Sequence, residues 1–103
     1  MTEIETLADL DGSPHATVFR NEPRTIRLAL RAGEGVDPHR HPGRSIVLYL
    51  LEGALTLKLG DDTHELTAGD IARFDGEQEI APVATADSTA LIVLAPRAET
   101  ETV

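Results

Sequence analysis

Two histidines one residue apart, His39 and His41, stand in the run Gly35-Val36-Asp37-Pro38-His39-Arg40-His41-Pro42-Gly43. On an extended segment side chains alternate between faces with a period of two, so both imidazoles point the same way. Neutral imidazole is a borderline ligand suited to Zn, Cu, Fe or Ni, and this spacing can grip one metal ion. A useful site normally takes three protein groups and keeps one position open; the pair supplies two. The chain has no cysteine, which excludes disulfides, thiolate catalysis and every Cys-based metal centre. Any metal must therefore take N and O ligands.

Arg40, between the two histidines, should point away from them. A solvated charge is its default role, and a grip on a carboxylate substrate the sharper one. An unperturbed His titrates near pH ~6.5, so either His39 or His41 suits general-base work. Nothing in the sequence marks a matching nucleophile or acid. His64 shares strand parity with Leu66 and reads as structural, and His15, ahead of the first clear strand, reads as exposed or as an interface residue. Tyr49 has the parity opposite to Ile46, Leu48 and Leu50, which places it on an outer face where packing against another subunit is its expected role.

The elements that must position these residues are short strands. Thr25 to Ala32 alternates, with Ile26, Leu28 and Leu30 on one face and Arg27 and Arg31 on the other, the mark of a half-buried strand. Ile46 to Leu51 is an unbroken apolar run. It leads through Glu52-Gly53-Ala54 into the alternation of Leu55, Leu57 and Leu59. Gly60-Asp61-Asp62 supplies a tight turn into Thr63 to Ala68. Gly69-Asp70 opens a strand to Phe74, and Ile80 to Ala84 and Thr89 to Ala95 give two more. Pro82 marks an edge or a bulge. Met1 to Asp11 carries only Ile4, Leu7 and Leu10, compatible with a turn of helix or a pairing strand. Evenly spaced strands without a helical stretch indicate an antiparallel sandwich or barrel.

A length of 103 residues makes one domain with a modest core. The formal net charge is −9, from 18 acidic and 9 basic residues, which repels phosphate backbones and anionic lipid, so neither nucleic acid nor membrane is an expected partner. The acidic N-terminus has no basic region followed by an apolar run, and no apolar stretch is long enough to span a bilayer. A soluble, cytoplasmic protein is the expectation. Lys58 is the only lysine. An acidic, lysine-poor surface resembles halophilic proteins, in which salt screens carboxylate repulsion, and this reading is favoured over an ordinary acidic protein from a high-GC genome.

The His-x-His run, the segment Ile46 to Gly53 and the segment Gly69-Asp70-Ile71-Ala72-Arg73-Phe74 together resemble the two motifs of the cupin superfamily. The first is Gly, five residues, His-x-His, a Glu, six residues, Gly; the second is Gly-Asp, a turn, then His. The resemblance runs from about Arg24 to Ala95. It implies an all-β, single-domain cupin jelly-roll (double-stranded β-helix) barrel over residues 24–97, with the site at its mouth. Residues 1–23 would then add a strand to the barrel or to a dimer partner, and 98–103 would be a frayed acidic tail. The family commonly binds a divalent transition metal (Fe, Mn, Ni, Zn or Cu) and commonly pairs through its sheets, so a homodimer is expected.

Two departures limit what carries over. Ile46 stands where the motif has its metal-binding Glu, and Ile80 stands at or next to the place of its second-motif His. Glu77 or Glu79 is then the candidate third ligand beside His39 and His41. Ile46, Leu48 and Ile80, if inward, line an apolar pocket instead. The sequence thus points to a small cupin binding a small molecule, with a weak or degenerate metal site. The alternative is a metal-dependent oxygenase, isomerase or lyase of the cupin type, and a third option is an inert module with a filled interior.

Overall fold

Alternating apolar and polar residues set the strands of the computed structural model, which describes residues 2–97. A single 3-10 turn over Leu7–Asp9 precedes β1 (His15–Phe19), β2 (Arg24–Leu30), β3 (Arg44–Glu52) and β4 (Ala54–Leu59). Then follow β5 (Asp62–Thr67), β6 (Ile71–Asp75), β7 (Ile80–Ala84) and β8 (Ser88–Pro96). One sheet has the order β1-β2-β8-β3-β6 and the other β5-β4-β7, with every pairing antiparallel. The last strand, β8, lies between β2 and β3, the kind of crossing that jelly rolls use.

The register of β3 against β8 defines the inward face. Ile46, Leu48 and Leu50 sit opposite Leu94, Ile92 and Ala90, and Leu55, Leu57 and Leu59 of the small sheet join the same core cluster. Leu50 and Leu57 are completely buried. Each such side chain contributes about 1.5–3 kcal/mol on leaving water.

The expected closed barrel is corrected by the strand pairing: the two ladders do not join into one continuous sheet among the described residues. On the side of β7, among the described residues, only the isolated bridges Gly35–Val83 and His39–Ile80 extend the small sheet. Pro82 lies between them on that edge strand, where a missing N–H is tolerated, as its place in the sequence suggests. The result is a sandwich of jelly-roll type, open beside the histidine segment.

In the N-terminal region His15–Phe19 forms β1, an edge strand of the five-stranded sheet. In β1, buried Ala16 and Val18 alternate with exposed His15 and Thr17. Ala16 faces Arg27 across the β1–β2 ladder, and the Arg27 guanidinium donates to the carbonyls of Leu7, Leu10 and Gly12. The 3-10 segment is thereby held across the outer face of these two strands. The expected frayed tail, 98–103, lies outside the described residues.

Gly53 joins β3 to β4 with φ 93°, and a Cβ there would run into the Asp87 carbonyl and the Ser88 hydroxyl. Ser88 Oγ is tied to both polar groups of Ala54, so it cannot step aside freely. Gly53→Ala should therefore lower unfolding free energy by about 2 kcal/mol or more. The midpoint of urea unfolding measures this, and an unchanged midpoint would refute the constraint.

Candidate functional site

Between the two sheets lies a cavity of about 410 Å³. Strand parity explains its walls: inward-facing Ile26 and Leu28 of β2, Ile46 and Leu48 of β3, Phe74 of β6 and Ile80 of β7 all line it. The β1–β2 register puts His15 opposite Leu28 and Thr17 opposite Ile26, which turns both β1 side chains to the same face. Arg24 precedes Ile26 by two residues and shares its parity. The exposed members of the lining, His15, Thr17, Arg24, Asp37 and Pro38, mark the mouth, with His39 and His41 half-buried beside them.

Backbone hydrogen bonds fix the histidine segment. His39 exchanges a pair with Ile80, N–H to carbonyl at 3.1 Å and the reverse at 2.8 Å. His41 N–H donates to the Gly76 carbonyl at 2.8 Å. Gly76 is glycine because any Cβ there would overlap the His41 carbonyl. His39 Nδ1 lies 2.9 Å from the Asp37 carbonyl. A carbonyl only accepts, so Nδ1 carries the proton, and in the neutral ring Nε2 keeps its lone pair. The two rings meet edge-on, with centroids 4.9 Å apart and planes at 86°.

Burial lowers the pKa of His15 below the usual imidazole value, and the neighbouring His39 lowers it further. Burial is also the largest influence on His41, followed by His39, Arg24, His15 and Arg44, all acting downward. No carboxylate is among the charges acting on either ring. Three imidazoles and an arginine thus converge at the mouth of an apolar cavity.

The structure brings together His39, His41, Ile46, Leu48 and Ile80, which the sequence singles out. Glu77 and Glu79 are placed elsewhere. The Glu77 carboxylate accepts from Gly43 N–H at 2.9 Å and faces Arg97 at 3.9 Å, whereas Glu79 is exposed and lies outside the cavity lining. Arg40 is exposed and reaches back to the Glu77 carbonyl. His64 is exposed on β5, and Tyr49 faces outward at 38% exposure.

His39 is held as a metal-bound histidine would be, with Nδ1–H tied to a carbonyl. The rest of the donor set does not fit a resident transition metal. Ile46 and Ile80 present aliphatic walls, and no group of three His, Asp or Glu able to hold a metal forms among the described residues. His15, the third imidazole at the mouth, forms no such group with His39 and His41, and that pair by itself falls short of the three protein ligands such sites use.

Sequence reasoning misses His15, Thr17, Arg24, Asp37 and Phe74 as lining residues. His15 is the instructive case, since its place ahead of the first clear strand suggests an exposed or interface position and it instead flanks the cavity mouth. The alternation His15-Ala16-Thr17-Val18 is the available signal, as is the parity of Arg24 with Ile26 and Leu28.

An open two-sheet jelly roll with a histidine-rimmed cavity is the architecture of a cupin. The Cupin domain model matches residues 26–96, and the chain belongs to that family. No curated protein matches it. Among solved structures, KdgF from a Halomonas species superposes with a TM-score of 0.81 at 18% identity, covering 96% of this chain and 97% of that one. The TT1209 protein of Thermus thermophilus superposes at 0.75 with 28% identity, covering 94% and 100%. Ectoine synthase from P. lautus superposes at 0.74 with 15% identity, covering 92% and 78%. Neighbours with such different names share the fold and not one chemistry.

Because His15 and His41 have lowered pKa values in the folded state, the unfolded chain binds more protons as pH drops below ~6.5. Their contribution to stability is full above that value and is lost as pH falls through it toward the lowered folded values. His41→Gln should flatten the decline in melting temperature between about pH 7.5 and about pH 5.5. Differential scanning calorimetry would check it, and an equally steep decline in the variant would assign the dependence to other groups.

Proposed function

We propose that this cupin binds a small molecule in the cavity between its sheets, and that His39 and His41 serve as polar groups of that pocket. The observation that carries this reading is that Ile46, which stands at the motif's Glu, and Ile80, at or next to the place of its second-motif His, are cavity walls. A cavity of about 410 Å³ lies within the ~300–1,000 Å³ typical of small-molecule sites, which are mostly apolar with a few placed polar groups. The second reading is a metal-dependent oxygenase, isomerase or lyase. The free Nε2 of His39 and the resemblance to a structure named as a synthase favour it, and the incomplete donor set opposes it.

The test is a fluorescence titration with Nile red, an uncharged apolar dye, on protein purified without a histidine tag. One dye per chain is expected in the wild type. Ile92→Trp, which adds volume at a half-buried position lining the cavity, should abolish binding while the melting temperature stays within a few degrees. Absence of saturable binding would refute the pocket. Elemental mass spectrometry on the same preparation decides the second reading: one metal per chain, absent in the double variant His39→Ala, His41→Ala, would establish it.

We also propose a homodimer through the outer face of the five-stranded sheet. Tyr49 and Ile71 are register partners on that face and remain 38% and 67% exposed, beside outward Leu51. Light scattering should give twice the monomer mass for the wild type and the monomer mass for Ile71→Glu. A monomeric wild type ends this proposal.

A further inference from the structure

We propose that the pocket selects an amphipathic carboxylate, whose anionic head is held at the mouth by the Arg24 guanidinium and the imidazole N–H groups of His15 and His41. The apolar tail then lies against Ile46, Leu48 and Ile80. This rests on the small-molecule reading of the same cavity and adds the class of its ligand.

The first observation is the state of Arg24. Carboxylates outnumber basic side chains two to one, 18 against 9, and other arginines near this end of the sandwich have partners. Arg44 pairs with Glu22 at 2.6 Å and donates to the Leu94 carbonyl. Arg97 pairs with Asp75 at 3.0 Å, and Arg27 serves the carbonyls of Leu7, Leu10 and Gly12. The Arg24 guanidinium has no hydrogen bond and no ion pair among the described residues. Glu22 accepts from its backbone N–H and feels its charge, but the ion pair of that carboxylate is with Arg44. Arg24 nevertheless lines the cavity, two residues from Ile26 on the inward face.

The second observation is the composition of the mouth. Around Arg24 stand His15, His39 and His41, with Asp37 the single acidic residue in the lining. Burial is the largest influence on His15 and His41; beyond it His15 feels His39, and His41 feels His39, Arg24, His15 and Arg44, with no carboxylate among these charges. Arg24 is the one permanent cation in that lining, and its guanidinium, without a hydrogen bond or ion pair among the described residues, is matched by a ligand that brings its own negative charge. One guanidinium balances one unit of charge, and its planar fork fits a carboxylate bidentately. His39 is no part of this grip, because its proton is held by the Asp37 carbonyl. The walls behind the mouth are aliphatic and aromatic, which defines the remainder of the ligand as apolar.

The experiment is isothermal titration calorimetry of the full chain near neutral pH with octanoate, 1-octanol and octylamine, which share one tail and differ in head charge. Octanoate should bind about tenfold more tightly than octanol, the usual worth of a charge-assisted hydrogen bond, and octylamine should bind most weakly. Arg24→Gln should bring octanoate to the affinity of octanol and leave octanol unchanged. Arg73→Gln removes the same charge from the exposed outer face of β6 and should change neither. Octanol equal to or tighter than octanoate overturns the carboxylate preference while leaving an apolar pocket in place. Failure of all three to bind, where Nile red binds, equally overturns it; failure of Nile red as well removes the pocket reading beneath it. Loss of octanol binding in Arg24→Gln, or an equal loss of octanoate in Arg73→Gln, overturns the assignment to Arg24.

Discussion

The ladder between β3 and β8 holds the rest of the molecule in register. It sets Ile46, Leu48 and Leu50 against Leu94, Ile92 and Ala90, and both strands also pair on their other sides, β3 with β6 and β8 with β2. Side chains alternate with period two, so a slip of one residue would send this whole set to solvent and bring Val47, Tyr49 and Leu91 inward. Such a slip would also remove Ile46 and Leu48 from the cavity. Core and pocket are therefore opposite ends of one packed face, with Leu50 and Leu57 sealing the interior and Ile46, Ile80 and Phe74 facing the space left near the mouth.

That space exists because the histidine segment is hung from β7 rather than woven into the sheet. Two isolated bridges and the His41–Gly76 hydrogen bond tie its backbone, leaving the segment outside both ladders. An edge of this kind is a liability in a sandwich unless it is short or covered. Here its side chains turn into the gap, and β1 contributes His15 and Thr17 from the opposite rim. The same partial burial that makes the imidazoles reluctant to take a proton makes any hydrogen bond they give a ligand stronger than it would be in water.

Cupin members are often described by their metal, and in this chain isoleucines, Ile46 and Ile80, stand at or next to two of the motif's ligand places. An isoleucine at the place of the motif's Glu, and another at or next to that of its His, exchange the costly burial of charged or polar ligands for ordinary apolar packing. His39 retains the orientation of a ligand because its Nδ1 bond to the Asp37 carbonyl is a local backbone feature. It needs no metal to persist. The pocket, the tethered histidine and the absent ligands are thus compatible parts of one stable structure.

Local patterns in the chain carry the resemblance to the family, the all-β class, the strand segments from β2 to β8 and the shared parity of Ile46, Leu48 and Leu50. Alternation, turn residues and the spacing of glycines and histidines all act over a few neighbouring residues, which is why they are legible without the fold. The open sheets, the turn of Glu77 toward Gly43 and Arg97, and the arrival of His15 and Arg24 at the same cavity as His41 were settled by tertiary packing alone. These outcomes depend on which strand edges meet. His15 and His41 are far apart in the chain and carry no shared pattern, and they become neighbours only through the pairing of β1 with β2 and of the histidine segment with β7. A carboxylate in a turn has several donors within reach, and the backbone N–H of Gly43, positioned by the fold, is the one that holds Glu77.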